Sequence, residues 1–245
     1  MYVELHAASA FSFLRASSLP EDLVVRAAEL GHSALALLDR DGLSGAPRFF
    51  KAARKAGIRP IFGAELTLEG GGVLPLLVES QTGYRNLCHL ITDMKAGVPK
   101  GEGKLALPAL EGKTTGLLAL VGAATLGVKP DGERGGLLLR IFGRDRLVIE
   151  VQRHRRRTDE TASQALLQFA EAHDLSAIAT NGVRHARAKG RALLDVLTCI
   201  REKKALATAG RLLSDNGERH LKGPRQMEAL FCDRPELIKN AEALA

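Results

Sequence analysis

Aromatic residues are scarce in this chain: they make up 4% of its 245 residues, and there is no tryptophan. A core must therefore be filled mainly by Leu, Ala, Val and Ile, which the 45% hydrophobic content can supply. Together with 26% charged residues, this composition is typical of a soluble globular protein. The length suits one large α/β domain, or one domain with a helical appendage.

Cysteine is also scarce. Cys88, Cys199 and Cys232 lie far apart and show no CxxC spacing, so neither a zinc site nor a disulfide framework is indicated, and a reducing compartment fits best. The first residues lack the basic start and apolar run of a secretory signal, and no uninterrupted apolar stretch reaches about 18 residues. We therefore expect a cytoplasmic protein with no membrane partner.

Basic residues exceed acidic ones, 35 against 28, for a net charge of +7. They are spread along the chain except in one run, Arg153-His154-Arg155-Arg156-Arg157. The charge suits either a nucleic-acid neighbour or simply a basic surface. Nucleic acid could bind through Arg153, Arg155, Arg156 and Arg157, but the run could equally be the solvated face of a helix.

Short apolar runs alternate with amphipathic segments. The pattern predicts strands at 2–5, 34–38, 60–68, 73–78, 117–121, 147–151 and 176–180. It predicts helices at 20–30, 44–56, 83–94, 136–142, 159–172, 187–200 and 224–230. The Gly-rich stretch 69–72 predicts a hairpin turn. This alternation favours a parallel sheet or an α/β barrel, in which the chemistry lies where strands end.

Polar residues collect at the predicted strand ends. They are His6, Asp39, Asp41, Glu65, His154 and the segment Asn181-Gly182-Val183-Arg184-His185. Histidines and carboxylates converging from different strands are what a multinuclear hydrolytic metal site uses. Each one alone is a weak signal, because a single histidine at a strand end is more often a hydrogen-bonded structural residue.

Eight motifs, in order along nearly the whole chain, match one known family. They include Glu-Leu-His-x-x-Ser-x-Phe-Ser-Phe-Leu at 4–14 and Ala-Leu-Leu-Asp-x-Asp-Gly-Leu-x-Gly at 36–45, followed by 62–66, 83–92, 99–103, 151–154, 179–183 and 195–201. The chain thereby resembles the PHP (polymerase and histidinol phosphatase) domain of bacterial C-family DNA polymerase III alpha subunits, closest to the error-prone type.

The resemblance implies a distorted (β/α)7 barrel of PHP type over residues 1–200, with a metal site at the C-terminal strand ends. Residues 201–245 would form a C-terminal helical extension leading toward a polymerase body that this chain lacks. Four of the family's ligand positions keep a ligand residue: His6, Asp39, Glu65 and His154. Six are replaced: Ala8, Arg15, Arg40, Ala123, Gly182 and Arg184.

Three of these replacements are arginines, which have no lone pair to offer a cation and repel it. We expect Arg15, Arg40 and Arg184 to stand beside Glu65, Asp39 and Asp41 and to supply the positive charge that metals would have supplied. Alternatively, some arginines swing to solvent, which still leaves too few ligands for a metal cluster. His185, one place after Arg184, would point elsewhere if the segment is extended.

The resemblance therefore implies a catalytically inactive PHP domain, without catalytic residues or cofactor, that serves an error-prone DNA polymerase system in replication or repair as a structural or interaction module. Its partners would be the polymerase body or other replication and translesion proteins. We expect no polymerase activity, and the chain could be a fragment, one half of a split polymerase or a free-standing paralogue. The alternative is a phosphoesterase or 3′–5′ exonuclease that binds zinc or manganese weakly.

Overall fold

The computed structural model describes residues 2–99, 101–127 and 130–245, so Lys100 of the motif at 99–103 lies outside the described residues. The described strands form one seven-stranded sheet in chain order. They are β1 Glu4–Ala7, β2 Ala34–Arg40, β3 Arg59–Thr67, β4 Val73–Val78, β5 Leu117–Val121, β6 Leu147–Gln152 and β7 Ala177–Thr180. All seven were predicted.

The sheet curls into a nearly closed barrel. Neighbouring strands are parallel except around β4, which is antiparallel to both β3 and β5 because the predicted turn at 69–72 reverses the chain. Beyond the last strand, Val183 bridges Ala7 of β1, and the amide of Ala8 donates to the Val183 carbonyl at 2.9 Å. These contacts bring the two edges of the sheet together, and the predicted α/β barrel of PHP type is confirmed.

Helices fill the connections between the strands. In the described part of the chain they are α1 Pro20–Glu29, α2 Ala46–Ala56, α3 Gln81–Asp93, α4 Ala123–Leu126, α5 Glu133–Phe142, α6 Asp159–His173, α7 Gly190–Glu202, α8 Pro224–Leu230 and α9 Pro235–Leu244. Sequence patterns did not predict α4 or α9, and α5 begins earlier than predicted. None of the helices described here is long and apolar enough to cross a membrane.

The apolar run of β2 is explained by burial on both of its faces. Ala36 and Leu38 belong to the larger hydrophobic cluster, whereas Leu35 and Leu37 pack in a second cluster with residues of α1 and α2. Successive side chains of a strand point to opposite faces, so a strand covered on both sides must be apolar throughout.

Residue types at the helix ends explain where α1 begins and where α2 ends. Pro20 opens α1, where its missing N–H costs nothing, and the Asp22 carboxylate accepts the Leu19 amide at 3.1 Å. Gly57 ends α2 with φ +69°, a conformation that glycine adopts without steric cost. Gly57 thereby turns the chain from α2 into β3, which carries Glu65 of the candidate site.

The last helix packs against the barrel. Leu237, Ile238 and Ala241 of α9 are buried in the larger cluster, and the Asn240 amide donates to the Ala177 carbonyl of β7 at 2.9 Å. The helical region predicted for residues 201–245 therefore ends in a helix that shares the core of the barrel.

Candidate functional site

The candidate site lies at the barrel mouth, meaning the C-terminal ends of β1, β2, β3, β6 and β7. His6 lies on β1, Arg40 ends β2 and Glu65 lies near the end of β3. The sheet register places Arg40 directly opposite Glu65. Arg184, which follows β7, reaches the same carboxylate from the other side.

Glu65 is the centre of this arrangement and is buried, with 1% of its surface exposed. Arg184 donates from its two terminal nitrogens to Oε1 at 2.7 Å and Oε2 at 3.1 Å, and Arg40 Nε donates to Oε2 at 2.9 Å. Burial alone would raise the pKa of Glu65, but Arg184, His6 and Arg40 hold it well below its ordinary range. Both carboxylate oxygens are therefore occupied by guanidinium groups.

His6 lies between two carboxylates. Its Nδ1 lies 2.7 Å from Glu150 Oε1, and its Nε2 lies 3.4 Å from Glu65 Oε1. Burial would lower the pKa of His6, but the charges and hydrogen bonds of Glu150 and Glu65 raise it to about 9. The imidazole is thus protonated at neutral pH and has no lone pair for a metal ion.

Sequence reasoning missed Glu150 as part of the site. It is buried, and it also accepts the Thr180 hydroxyl at 2.5 Å. Its one signal was a lone charged residue within the apolar strand β6. Glu4 was likewise missed as a buried carboxylate: it accepts the Tyr2 hydroxyl at 2.7 Å, and burial raises its pKa to about 7 despite that hydrogen bond.

Hydroxyl and amide groups hold the two aspartates at the end of β2, and Arg184 acts on the Asp39 carboxylate as a nearby charge. Asp39 accepts the Ser9 amide at 2.6 Å and the Ser12 hydroxyl at 2.8 Å. Asp41 accepts the amide and the hydroxyl of Thr67, each at 2.7 Å. Burial raises the pKa of Asp39, and the hydrogen bonds from Ser9 and Ser12 oppose that rise.

His154 is bound through both ring nitrogens. Its Nε2 lies 2.9 Å from the Asn181 carbonyl, which can only accept, so the proton is on Nε2. The remaining lone pair on Nδ1 faces the Arg156 guanidinium at 3.4 Å. Burial, reinforced by the positive charge of Arg219, lowers the pKa of His154 to about 3.

Arg15 is placed differently from Arg40 and Arg184. Within the described residues it forms no ion pair with Glu65, Asp39 or Asp41, and it lines a pocket beside Arg184 instead. Arg40 and Arg184 therefore form direct ion pairs with Glu65, whereas Arg15 acts on Glu65 and Asp41 as a nearby charge.

Gly182 is fixed by its surroundings. Its φ is +54°, and a Cβ added there would lie 2.6 Å from the Gln152 side-chain amide. A carboxylate cannot be placed at this position without moving Gln152. Ala8 is buried, and Ala123 is exposed at the start of α4. None of these three positions offers a metal ligand.

His185 does not take the place of a missing ligand. It is buried, and its ring forms no hydrogen bond with another side chain among the described residues. Burial, followed by the nearby charge of His220, lowers its pKa to about 4. Its ring therefore acts as neutral packing.

Arg153, the first residue of the basic run, is engaged within the protein. Its two terminal nitrogens pair with the Asp233 carboxylate at 2.5 and 2.9 Å, and its guanidinium stacks over the Phe231 ring at 4.8 Å. Arg153 therefore ties β6 to the segment after α8. Arg155, Arg156 and Arg157 are exposed.

The donor set does not fit a metal cluster. Glu65 is saturated by guanidiniums, His6 is protonated and the lone pair of His154 faces Arg156. Among the residues that the structure describes, no three His, Cys, Asp or Glu side chains are arranged to hold a metal ion. Fixed positive groups, the guanidiniums of Arg40 and Arg184, are instead held at the mouth of the barrel.

Comparison with known proteins identifies the class. The PHP domain family matches residues 4–154, and the chain belongs to that family. It is 38% identical to the error-prone DNA polymerase of Xanthomonas oryzae pv. oryzae over 245 residues, which is all of this chain and 22% of that protein. It is also 38% identical to the error-prone DNA polymerase of Alkalilimnicola ehrlichii over 244 residues, or 23% of that protein. The chain thus spans about a fifth of the length of these relatives, and the predicted resemblance is confirmed.

Solved structures agree on the fold. The chain superposes on a protein from Bifidobacterium adolescentis, assigned as a metal-dependent phosphoesterase, with TM-score 0.53 and 14% identity, covering 94% of this chain and 95% of that one. An amidohydrolase from Chromobacterium violaceum, solved with bound sulfate and no metal, gives TM-score 0.54 and 16% identity over 75% of this chain and 88% of that one. At such identities these likenesses establish the fold alone.

Proposed function

We propose that this chain is a catalytically silent PHP domain that serves an error-prone DNA polymerase system as a structural and interaction module. The observation that carries the proposal is the occupation of Glu65 by Arg40 and Arg184. A buried carboxylate that is bound on both oxygens gains little from a cation and would have to break charge-assisted hydrogen bonds to accept one.

An exposed apolar stripe on α7 supports the interaction role. Leu193, Val196 and Ile200 are 51%, 44% and 59% exposed, and their spacing of three and four places them on one face of the helix. The relatives carry about four-fifths of their length outside the matched segment. We therefore assign this stripe to contact with the polymerase body.

Two measurements test catalytic silence. After purification with added zinc and manganese, we expect the protein to hold far less than one metal ion per chain and to show no turnover of a chromogenic phosphodiester. The single change Arg40→His should not restore activity, because Ala8, Arg15, Ala123, Gly182 and Arg184 remain unsuited. Stoichiometric metal, together with hydrolysis that disappears in His6→Ala, would instead establish the metal-dependent phosphoesterase or exonuclease.

Binding to a polymerase body tests the interaction role. The matched segment can be removed from the Xanthomonas oryzae relative, and the remainder mixed with this chain in a titration. We expect Ile200→Glu to weaken binding at least tenfold, whereas Val25→Glu, a similar change at an exposed apolar residue of α1, should have little effect. Equal affinities for the unmodified chain and both variants would reject α7 as the contact face.

A further inference from the structure

A pocket of about 320 Å³ opens beside the ion-paired site, and we call it the arginine pocket. Six arginines line it: Arg15, Arg156, Arg184, Arg201, Arg211 and Arg219. They come from the segments after β1, β6 and β7, from α7 and from the segment between α7 and α8. Its volume is at the lower end of the roughly 300–1,000 Å³ typical of small-molecule sites.

Acidic partners neutralise only part of this charge. Arg184 pairs with Glu65 at 2.7 Å, Arg156 lies 3.3 Å from Asp215, and Arg201 lies 2.8 Å from Glu202. The other three, Arg15, Arg211 and Arg219, form no ion pair with any carboxylate among the described residues. The pocket therefore holds a surplus of fixed positive charge.

The guanidinium groups repel one another. Burial, followed by the charges of Arg184 and Arg156, lowers the pKa of Arg219 to about 10. Burial, followed by Arg40 and Arg201, also lowers the pKa of Arg15. Arg219 Nε is shielded from solvent and has no hydrogen-bond partner among the described residues. Such an arrangement costs free energy unless an anion offsets it.

The chemistry of the lining selects the kind of anion. Guanidinium groups present planar pairs of donors that match phosphate oxygens, and several of them can converge on one phosphoryl group. A phosphate monoester carries a charge of about −1.5 to −2 and three strong acceptor oxygens, more than a single carboxylate offers. A pocket of about 320 Å³ has room for one or two phosphoryl groups.

We propose that the arginine pocket binds a phosphoryl oxyanion directly through guanidinium groups, without a metal ion. The ligand is either a free phosphate or pyrophosphate or the terminal phosphate of a DNA strand. Binding of this kind does not depend on whether the domain is catalytically silent.

The test is calorimetric titration of the full chain in EDTA with four probes: inorganic phosphate, pyrophosphate, a 5′-phosphorylated oligonucleotide and the same oligonucleotide without its phosphate. We expect binding of pyrophosphate, or of the phosphorylated strand in clear preference to the unphosphorylated one. The first result assigns a free anion and the second a strand end. Affinity should fall as chloride is raised, since the contacts are ionic.

Two variants locate the binding. Arg211→Gln and Arg15→Gln remove arginines that form no ion pair among the described residues. Each should weaken binding by about tenfold or more, the loss of one or two charge-assisted hydrogen bonds. Arg157→Gln removes the same charge from an exposed position outside the pocket and should change affinity less than twofold. Circular dichroism shows whether each variant is folded.

Three results would overturn the proposal: no binding of any probe in EDTA, binding that needs an added divalent ion, or equal loss in all three variants. Failure of the proposed catalytic silence has a different signature, because it appears as metal-dependent hydrolysis that His6→Ala abolishes.

Discussion

His6 gives the sharpest quantitative expectation. Its pKa lies at about 9, against an ordinary value of 6.5, because Glu150 and Glu65 stabilise the protonated ring by more than burial destabilises it. A difference of this size corresponds to about 3 kcal/mol of stability, since one pKa unit is worth about 1.4 kcal/mol. The folded state binds the proton more tightly, so this stability is fully present below pH 6.5 and is lost as the pH rises through 9.

Two measurements check this expectation. In an NMR titration of the ring nitrogens, the resonances that vanish in His6→Gln should titrate near pH 9. In urea unfolding between pH 7 and pH 10, the free energy of unfolding of the unmodified chain should fall by about 2–3 kcal/mol relative to that of His6→Gln. The matched variant cancels the contributions of Lys222 and of other groups that titrate in the same range.

A midpoint for His6 at or below pH 6.5 would refute the reasoning. The ring would then be neutral at pH 7 and able to offer a lone pair to a metal ion. The inference that the barrel mouth is occupied by fixed positive charges would then be wrong for His6.

Two further expectations concern stability. Gly182→Ala should lower the free energy of unfolding by about 1–3 kcal/mol more than Gly210→Ala does. Both glycines have a similar positive φ, but a Cβ at position 182 meets the Gln152 side chain, whereas a Cβ at position 210 meets open space. Equal losses in urea unfolding would show that Gln152 moves aside freely. Arg153→Ala should lower the melting temperature by an amount equivalent to about 1–2 kcal/mol, because the ion pair with Asp233 and the stacking on Phe231 are lost. Arg157→Ala should have little effect. Similar melting temperatures for the two variants would contradict a structural role for Arg153.

Several features followed from the sequence alone. The two-sided apolar run of β2 and the Gly-rich turn between β3 and β4 predicted the strands correctly, because burial and turn chemistry act over a few residues. That Ala8, Arg40 and Gly182 have no side-chain lone pair for a metal ion was also evident from the sequence, since it depends on residue type alone. No sequence pattern indicated α9, whose place depends on its packing against β7.

Only the tertiary structure decided how the charges are paired. Arg40 and Arg184 reach Glu65 because strand register and barrel closure bring three distant segments within hydrogen-bond distance. Arg15 carries the same charge but faces the arginine pocket, and Glu150 pairs with His6 across 144 positions of sequence. Residue type fixes what a side chain can donate or accept, whereas the distance that decides its partner is set by how the whole sheet curls.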